Sequence, residues 1–302
     1  MKNIRMMMVV AAMTAFAGTA SAQEYAEGEV RVHDRARGEL SVETQAPSTE
    51  SLREAIASAD SNPSRFSTML EYGERVECYS CVPEVQRLLL SSPSSHVRES
   101  AAWWLRRRPF AIGAVMVQMR EVLANDASDT RRMYAAEALG TLMDVHAVEP
   151  LTTAVTSDTA ATVRAAAVRS LARLNVGRAS HAIAMALGDS DTSVQSAALQ
   201  AITEIGFFDE VEPIMGLLAS TDASIRRQAA RATGLYQVTA SVPVLSAMLI
   251  GDTDWTVRQA AAWSLGRIGT AEARTALLDA EAMQDDDRVL DAIRMAMRSI
   301  RR

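Results

Sequence analysis

Apolar residues in this chain recur in a phrase that returns every 31 to 34 residues. In one copy, Val163, Ala167, Leu171 and Leu174 fall within about 80° of a helical wheel. No stretch of useful length alternates as a strand does. The pattern predicts an all-α fold, an α-solenoid of stacked antiparallel helix pairs, because so short a unit cannot bury its apolar face alone. The copies begin at Val97, Arg131, Val163, Val194, Ile225, Val257 and Val289.

Each copy of the phrase is predicted to form the first helix of a pair, and a second apolar helix follows it. Small residues four and five positions into the phrase allow close helix packing, and we expect the second helices to line the concave face. An aspartate ahead of the phrase fits a helix N-cap, because its carboxylate accepts from an unpaired backbone N–H. The predicted N-caps are Asp191, Asp222, Asp254 and Asp286.

Four segments are predicted along the chain. Residues 1–22 resemble a secretory signal peptide that ends in the cleavage signature Ala20-Ser21-Ala22. Residues 23–50 are polar and aperiodic, which predicts a flexible segment. Residues 51–93 are predicted to form N-terminal capping helices, the first with Ser51 as N-cap, and residues 94–302 the repeat array. We therefore expect an exported protein without a membrane span, periplasmic if the source has an outer membrane and otherwise secreted.

Charge and composition limit the classes of ligand and of catalytic site that this chain can have. Loss of Lys2 and Arg5 with the signal peptide leaves 29 of the 31 basic residues against 37 acidic ones. This balance argues against nucleic acid and anionic membranes, since both attract basic surfaces. Lys2 is the only lysine, which excludes a phosphate-loop or Schiff-base lysine in the mature chain.

The phrase Asp-x-x-Val-Arg-x-x-Ala-Ala-x-x-Leu-Gly resembles the short HEAT-like repeat first associated with phycobilisome lyase subunits. The resemblance covers roughly residues 63–302. It implies a helical solenoid, and a function among those of the family: scaffolds, assembly factors, chromophore lyases and iron-dependent deoxyhypusine hydroxylases.

Metal and catalytic chemistry find little support in the sequence. The hydroxylases of this family bind iron through His-Glu pairs, and this chain has no His-Glu dipeptide. Its histidines are scattered, and no Ser-His-Asp or Cys-His set and no glycine-rich phosphate loop stands out. We expect no catalytic residues, no metal and no cofactor. The four histidines are His33, His96, His146 and His181.

Cys78 and Cys81 form the one cysteine pair of the chain. Pro83 disfavours helical geometry at Val82, which places the pair in a turn between two helices. The favoured interpretation is a structural disulfide in an oxidising compartment, and free thiols or a redox or metal role remain alternatives.

The arginine of the phrase is predicted to form a ladder with turn aspartates along the stack. In related repeats this arrangement is structural. Gln195 and Leu290 stand where the arginine is expected and interrupt the ladder. Its predicted members are Arg98, Arg132, Arg164, Arg226 and Arg258.

Trp103 and Trp263 both stand six residues after the start of the phrase, where the other repeats have Glu137, Arg169, Gln200 and Arg231. That position points outward, and exposed tryptophan is enriched at interfaces. The two tryptophans are therefore candidate partner-binding residues, and the alternative is that a neighbouring segment of the chain covers them.

Taken together, the sequence favours a non-enzymatic exported scaffold that binds a protein partner through an extended solenoid surface. A chromophore-lyase-like or assembly-factor subunit is the alternative, and a structural component of the cell envelope is a further one. The sequence identifies neither the partner nor its pathway.

Overall fold

The computed structural model describes residues 46–205 and 208–300. In these ranges the chain forms α-helices and short 3₁₀ turns, with no β-strand, and the predicted all-α solenoid is confirmed. The predicted signal peptide and residues 23–45 lie outside the described ranges. In chain order the helices are α1 (Thr49–Ala57), α2 (Pro63–Tyr72), α3 (Val82–Ser91), α4 (Ser95–Leu105), α5 (Ile112–Asn125), α6 (Asp129–Leu142), α7 (Val148–Ser157), α8 (Ala161–Leu174), α9 (Ser180–Leu187), α10 (Thr192–Glu204), α11 (Glu212–Gly216), α12 (Ala223–Leu235), α13 (Val242–Gly251), α14 (Trp255–Ile268), α15 (Ala271–Met283) and α16 (Asp287–Ile300).

The helices form two layers. The even-numbered helices from α4 to α16 carry the repeated phrase and are called the phrase helices; the odd-numbered helices from α5 to α15 are the second helices. Each phrase helix packs on the phrase helices beside it and on the adjacent second helices. The apolar stripe of the phrase, such as Val163 and Leu171, lies fully buried between the layers.

Helix starts follow the predicted capping chemistry. Asp191, Asp222 and Asp254 are the N-caps of α10, α12 and α14, and each carboxylate accepts from backbone N–H groups of the first turn. Asp286 accepts from the backbone N–H of Arg288 at 3.0 Å in the same way. These caps fix where each phrase helix begins.

The N-terminal helix starts earlier than the sequence indicates. Ser48, and not Ser51, is its N-cap, because the Ser48 hydroxyl accepts from the backbone N–H of Ser51 at 3.1 Å. The helix therefore begins at Thr49, inside the segment 23–50 that was predicted to be flexible. Both α2 and α3 pack on α4, and together they cover the first phrase helix of the array.

Phrase helices approach each other to backbone contact. A Cβ atom at Gly140 would lie 2.9 Å from the Cα of Ser170, and one at Gly234 would lie 2.7 Å from the Cα of Ser264. In each case the serine hydroxyl donates to the carbonyl of an alanine on the preceding phrase helix, at 2.7 and 2.6 Å. Glycine at these two positions therefore permits the close packing of neighbouring phrase helices.

The phrase arginines tie successive repeats together. Arg132, Arg164 and Arg226 each donate through Nε and Nη2 to both oxygens of an aspartate in the turn before the next phrase helix, at 2.7–2.9 Å. Nη1 of each donates to a backbone carbonyl six residues earlier at 2.9 Å. These bidentate contacts fix both position and orientation. The aspartates are Asp158, Asp189 and Asp252.

The two ends of this ladder differ from its middle. Arg98 pairs at 2.7 Å with Glu137, which belongs to the next phrase helix and is not a turn aspartate. Arg258 reaches Asp286 at 3.3 Å through one nitrogen, and its buried Nε has no hydrogen-bond partner among the described residues.

The ladder is broken between α10 and α12. Gln195 keeps the backbone contact, because its Nε2 donates to the carbonyl of Asp189 at 2.7 Å. Its buried Oε1 has no hydrogen-bond partner in the part of the chain that the structure describes. Ser220 stands where the neighbouring turns have an aspartate. The intervening α11 spans five residues, so this junction lacks both the side-chain rung and a full second helix.

Candidate functional site

The concave face of the solenoid is lined by the phrase helices. Arg173 on α8 lies 3.7 Å from Glu99 on α4, so these two side chains meet over the intervening α6. The phrase helices also approach one another more closely than the second helices do, and a two-layer array bends toward the layer with the smaller spacing. The expectation that the second helices line this face is wrong, because the small residues that permit close approach lie on the phrase helices.

The side chain six residues into each phrase lies on this concave face. In the N-terminal half this row contributes Glu137 and Arg169, and in the C-terminal half Arg231, Trp263 and Met295. The outward direction predicted for Trp263 is therefore the direction into the concave face, where the side chain is 37% exposed.

Trp103 occupies the same position on α4 but is covered by its own chain. The Arg107 guanidinium lies over the indole ring, with Cζ 3.9 Å from the ring centroid. Glu74, which follows α2, pairs with Arg107 at 2.6 Å and holds it there. Of the two predicted partner-binding tryptophans, Trp103 is thus partly buried under an intramolecular ion pair.

Trp263 lies in a groove between α12, α14 and α16 with a cavity of about 310 Å³. The groove is lined by the buried alanines Ala260 and Ala296 and by the exposed side chain of Met295. The Cζ atoms of Arg231 and Arg267 lie 5.1 and 5.8 Å from the centroid of the Trp263 ring. The groove thus combines an aromatic face with two guanidinium groups.

The charges around this groove are not balanced. Within residues 46–205 and 208–300, no carboxylate lies within 4.0 Å of the side-chain nitrogens of Arg227, Arg231 or Arg267. Asp291, the one carboxylate among the lining residues, lies 3.7 Å from Arg294. The groove is therefore a basic surface in a chain whose formal net charge is −6, and anions are the ligands that it attracts.

The groove offers binding groups and little that could act as a nucleophile. The hydroxyl of Ser299 donates to the carbonyl of Ala296 at 2.7 Å. Among the described residues, no three His, Cys, Asp or Glu side chains come close enough to hold a metal ion. His96 contacts Ser67 at 3.0 Å, and His181 contacts Glu210 at 3.2 Å, each away from the groove.

Cys78 and Cys81 are joined in a disulfide beside the 3₁₀ turn Tyr79–Cys81. Both residues are fully buried between the N-terminal helices. The pair lies at the opposite end of the array from the groove. Its oxidation in an exported compartment stays a prediction.

A family description of HEAT repeats matches residues 116–203, 179–249 and 211–298. The chain is a HEAT-repeat protein. This agrees with the stacked helix pairs, the buried apolar stripe and the arginine ladder, and it confirms the family resemblance seen in the phrase.

This HEAT-repeat chain is similar to a bilin biosynthesis protein and to solved structures. It is 25% identical over 209 residues to the bilin biosynthesis protein PecE of Mastigocladus laminosus. The matched region covers 66% of this chain and 76% of PecE. Among solved structures, YibA of Escherichia coli covers 82% of this chain and 94% of its own, with 15% identity and a TM-score of 0.57. The match to a chain of the CpcE–CpcF complex of phycocyanin lyase from a Nostoc species covers 72% of this chain and 94% of that one, with 24% identity and a TM-score of 0.40.

The similarity to a bilin biosynthesis protein corrects the expectation that this chain is not an enzyme. That expectation rested on the lack of a recognisable catalytic set in the sequence, and such a lack does not decide function, because function depends on sites placed on a fold. In the part of the chain that the structure describes, no helix is long and apolar enough to cross a bilayer.

Proposed function

We propose that this HEAT-repeat protein is a lyase-type subunit that binds a bilin in the groove around Trp263 and presents it to a protein partner. The observation that carries the proposal is the combination of an aromatic face, apolar lining residues and uncompensated arginines in one concave groove. A bilin is an open-chain tetrapyrrole with a flat conjugated system and two propionate side chains, so it supplies the matching chemistry.

The size of the groove supports this assignment. Small-molecule sites have volumes of roughly 300–1,000 Å³, are mostly apolar and hold a few well-placed polar groups. The groove around Trp263, at about 310 Å³, fits part of a tetrapyrrole and leaves the remainder on the open concave face. A chromophore held in this way stays accessible to a second protein.

A protein partner follows from the lack of a usable thiol. The chain has two cysteines, and both are joined in the buried disulfide. Covalent attachment of a bilin therefore needs an acceptor nucleophile from elsewhere, and the concave face N-terminal to the ladder break provides further exposed surface for such a partner. We also propose that the mature protein acts after export, on the strength of the signal-peptide pattern in residues 1–22.

Binding of the chromophore tests the proposal directly. The purified full-length mature chain is titrated with biliverdin and followed by visible absorbance and visible circular dichroism. A bilin held in a chiral groove is expected to show a shifted absorption band and an induced dichroic signal that saturates at one equivalent. Free-bilin spectra throughout a titration to a large excess of protein would reject the proposed function.

A further inference from the structure

The tryptophans that carry an arginine on their ring fall into two kinds. Arg107 over Trp103 is balanced by Glu74 at 2.6 Å. Arg288 lies over Trp255 with Cζ 4.0 Å from the ring centroid, and it is balanced by Asp286 at 2.8 Å. In both cases the charge of the guanidinium group is compensated by a carboxylate of the same chain.

Buried Trp104 is a third case in which the arginine is satisfied internally. The Arg108 guanidinium lies 3.8 Å from the centroid of its ring and donates to the carbonyls of Gly73 and Val76 at 3.2 and 3.3 Å. Both residues are buried, so neither offers its charge or ring to a ligand.

Trp263 differs because its arginines stand apart from the ring and from any carboxylate of the described chain. Arg231 lies on α12, the preceding phrase helix. Arg267 lies on α14, one turn after Trp263 itself. Both side chains are exposed, at distances near the outer limit of about 6 Å for a cation–π contact. The space between the guanidinium groups is thus open for an anion that lies over or beside the indole.

We infer that Arg231 and Arg267 form a carboxylate clamp beside Trp263, which binds a planar ligand through a carboxylate attached to its conjugated system. Guanidinium groups bind carboxylates bidentately, and the indole face stacks on a flat conjugated ligand. The ligand's identity as a bilin rests on the proposed function, whereas the clamp itself requires only a planar carboxylate.

Arg227 extends the clamp along the same groove. It lies one turn before Arg231 on α12, so the two side chains project from neighbouring positions of one helix face. A ligand with two carboxylates can therefore engage Arg231 and Arg267 with one and Arg227 with the other. The two propionates of a bilin, on adjacent rings, have this relation.

The test compares ligands with and without free carboxylates on matched variants. Quenching of tryptophan fluorescence is measured for biliverdin, for its dimethyl ester and for 2,6-naphthalenedicarboxylate. The proteins are the wild type, the double variant Arg231→Gln/Arg267→Gln, Trp263→Phe, and the control Arg169→Gln. Arg169 is an exposed arginine at the same phrase position on α8, outside the groove. Far-ultraviolet melting curves check that each variant is folded.

The clamp predicts that the double variant binds biliverdin at least about tenfold more weakly, since it removes the charge-assisted hydrogen bonds to the ligand carboxylate, which are stronger than neutral ones. The dimethyl ester should bind the wild type as weakly as the acid binds the double variant, and Trp263→Phe should remove most of the quenching. Arg169→Gln should match the wild type.

The outcomes separate the clamp from the proposed function. Tight biliverdin binding that is indifferent to the double variant and to esterification overturns the clamp and leaves the function standing. Arginine-dependent binding of naphthalenedicarboxylate without any biliverdin binding supports the clamp and overturns the bilin. No binding of any of the three ligands overturns both.

Discussion

The break in the arginine ladder at Gln195 provides an internal reference for how much an intact Arg–Asp pair contributes to the free energy of unfolding. Arg226→Gln copies at α12 the residue that the chain already has at Gln195. A glutamine there can keep the contact with the Ser220 carbonyl, as Gln195 does with Asp189. It leaves Asp252, whose side chain is 6% exposed, without its bidentate partner.

The expected cost of Arg226→Gln follows from that stranded carboxylate. Removing one partner of a buried ion pair costs about 3–5 kcal/mol. Asp252 retains the backbone N–H of Asp254 at 2.9 Å, and the Arg226 side chain is 15% exposed, so we expect about 2–3 kcal/mol. The double variant Arg226→Gln/Asp252→Ser copies both side chains of the natural break and should lie within about 1 kcal/mol of the wild type.

Urea denaturation followed by far-ultraviolet circular dichroism measures both variants. Arg227→Gln is the matched control, because Arg227 is the exposed next residue and forms no ion pair within 4.0 Å among the described residues. It should change stability by less than about 0.5 kcal/mol. A double variant as unstable as Arg226→Gln would show that the loss does not come from the stranded charge and would refute the argument.

Three further predictions follow from the same structure. Hydrogen bonds from Arg288 lower the pKa of Asp286 to about 2, so its stabilisation is present above about pH 4 and lost as the pH falls toward 2; unfolding monitored against pH should show this acid limb, and a flat profile would contradict it. Gly234→Ala should destabilise by about 1–3 kcal/mol, whereas Gly113→Ala, which meets no atom within 4 Å, should not; equal melting temperatures would reject the close packing. Cys78 and Cys81 should resist alkylation in unreduced protein from the exported fraction, and full labelling would exclude the disulfide.

The sequence predicts the local structure of this chain well because its signals are local. The phrase predicts the buried stripe of each helix, and the aspartates before it predict the N-caps such as Asp222. The sequence does not decide the start of α1, because Ser48 and Ser51 are both residues that favour an N-cap; in the structure the Ser48 hydroxyl accepts from the backbone N–H of Ser51.

Features that depend on distant residues were not predictable in this way. Trp103 and Trp263 occupy the same phrase position and each has an arginine four residues later. They differ because Glu74, about thirty residues before Arg107, compensates one arginine, whereas no described residue compensates the other. The concave layer was likewise misassigned, because a helical wheel shows which face is buried and says nothing about which layer has the smaller spacing.

The arginine ladder connects the same helices that line the groove around Trp263. Arg226 ties α12 to the turn before α14 through Asp252, and Arg258 ties α14 to the turn before α16 through Asp286. These are the three helices that form the groove, and the break at Gln195 lies just before the first of them. The rungs therefore hold the clamp arginines in register with Trp263, while the junction ahead of them lacks such a constraint. We therefore expect Arg226→Gln to weaken biliverdin binding although Arg226 does not line the groove. The stability-restored Arg226→Gln/Asp252→Ser variant should recover only part of that affinity, because it still lacks the rung.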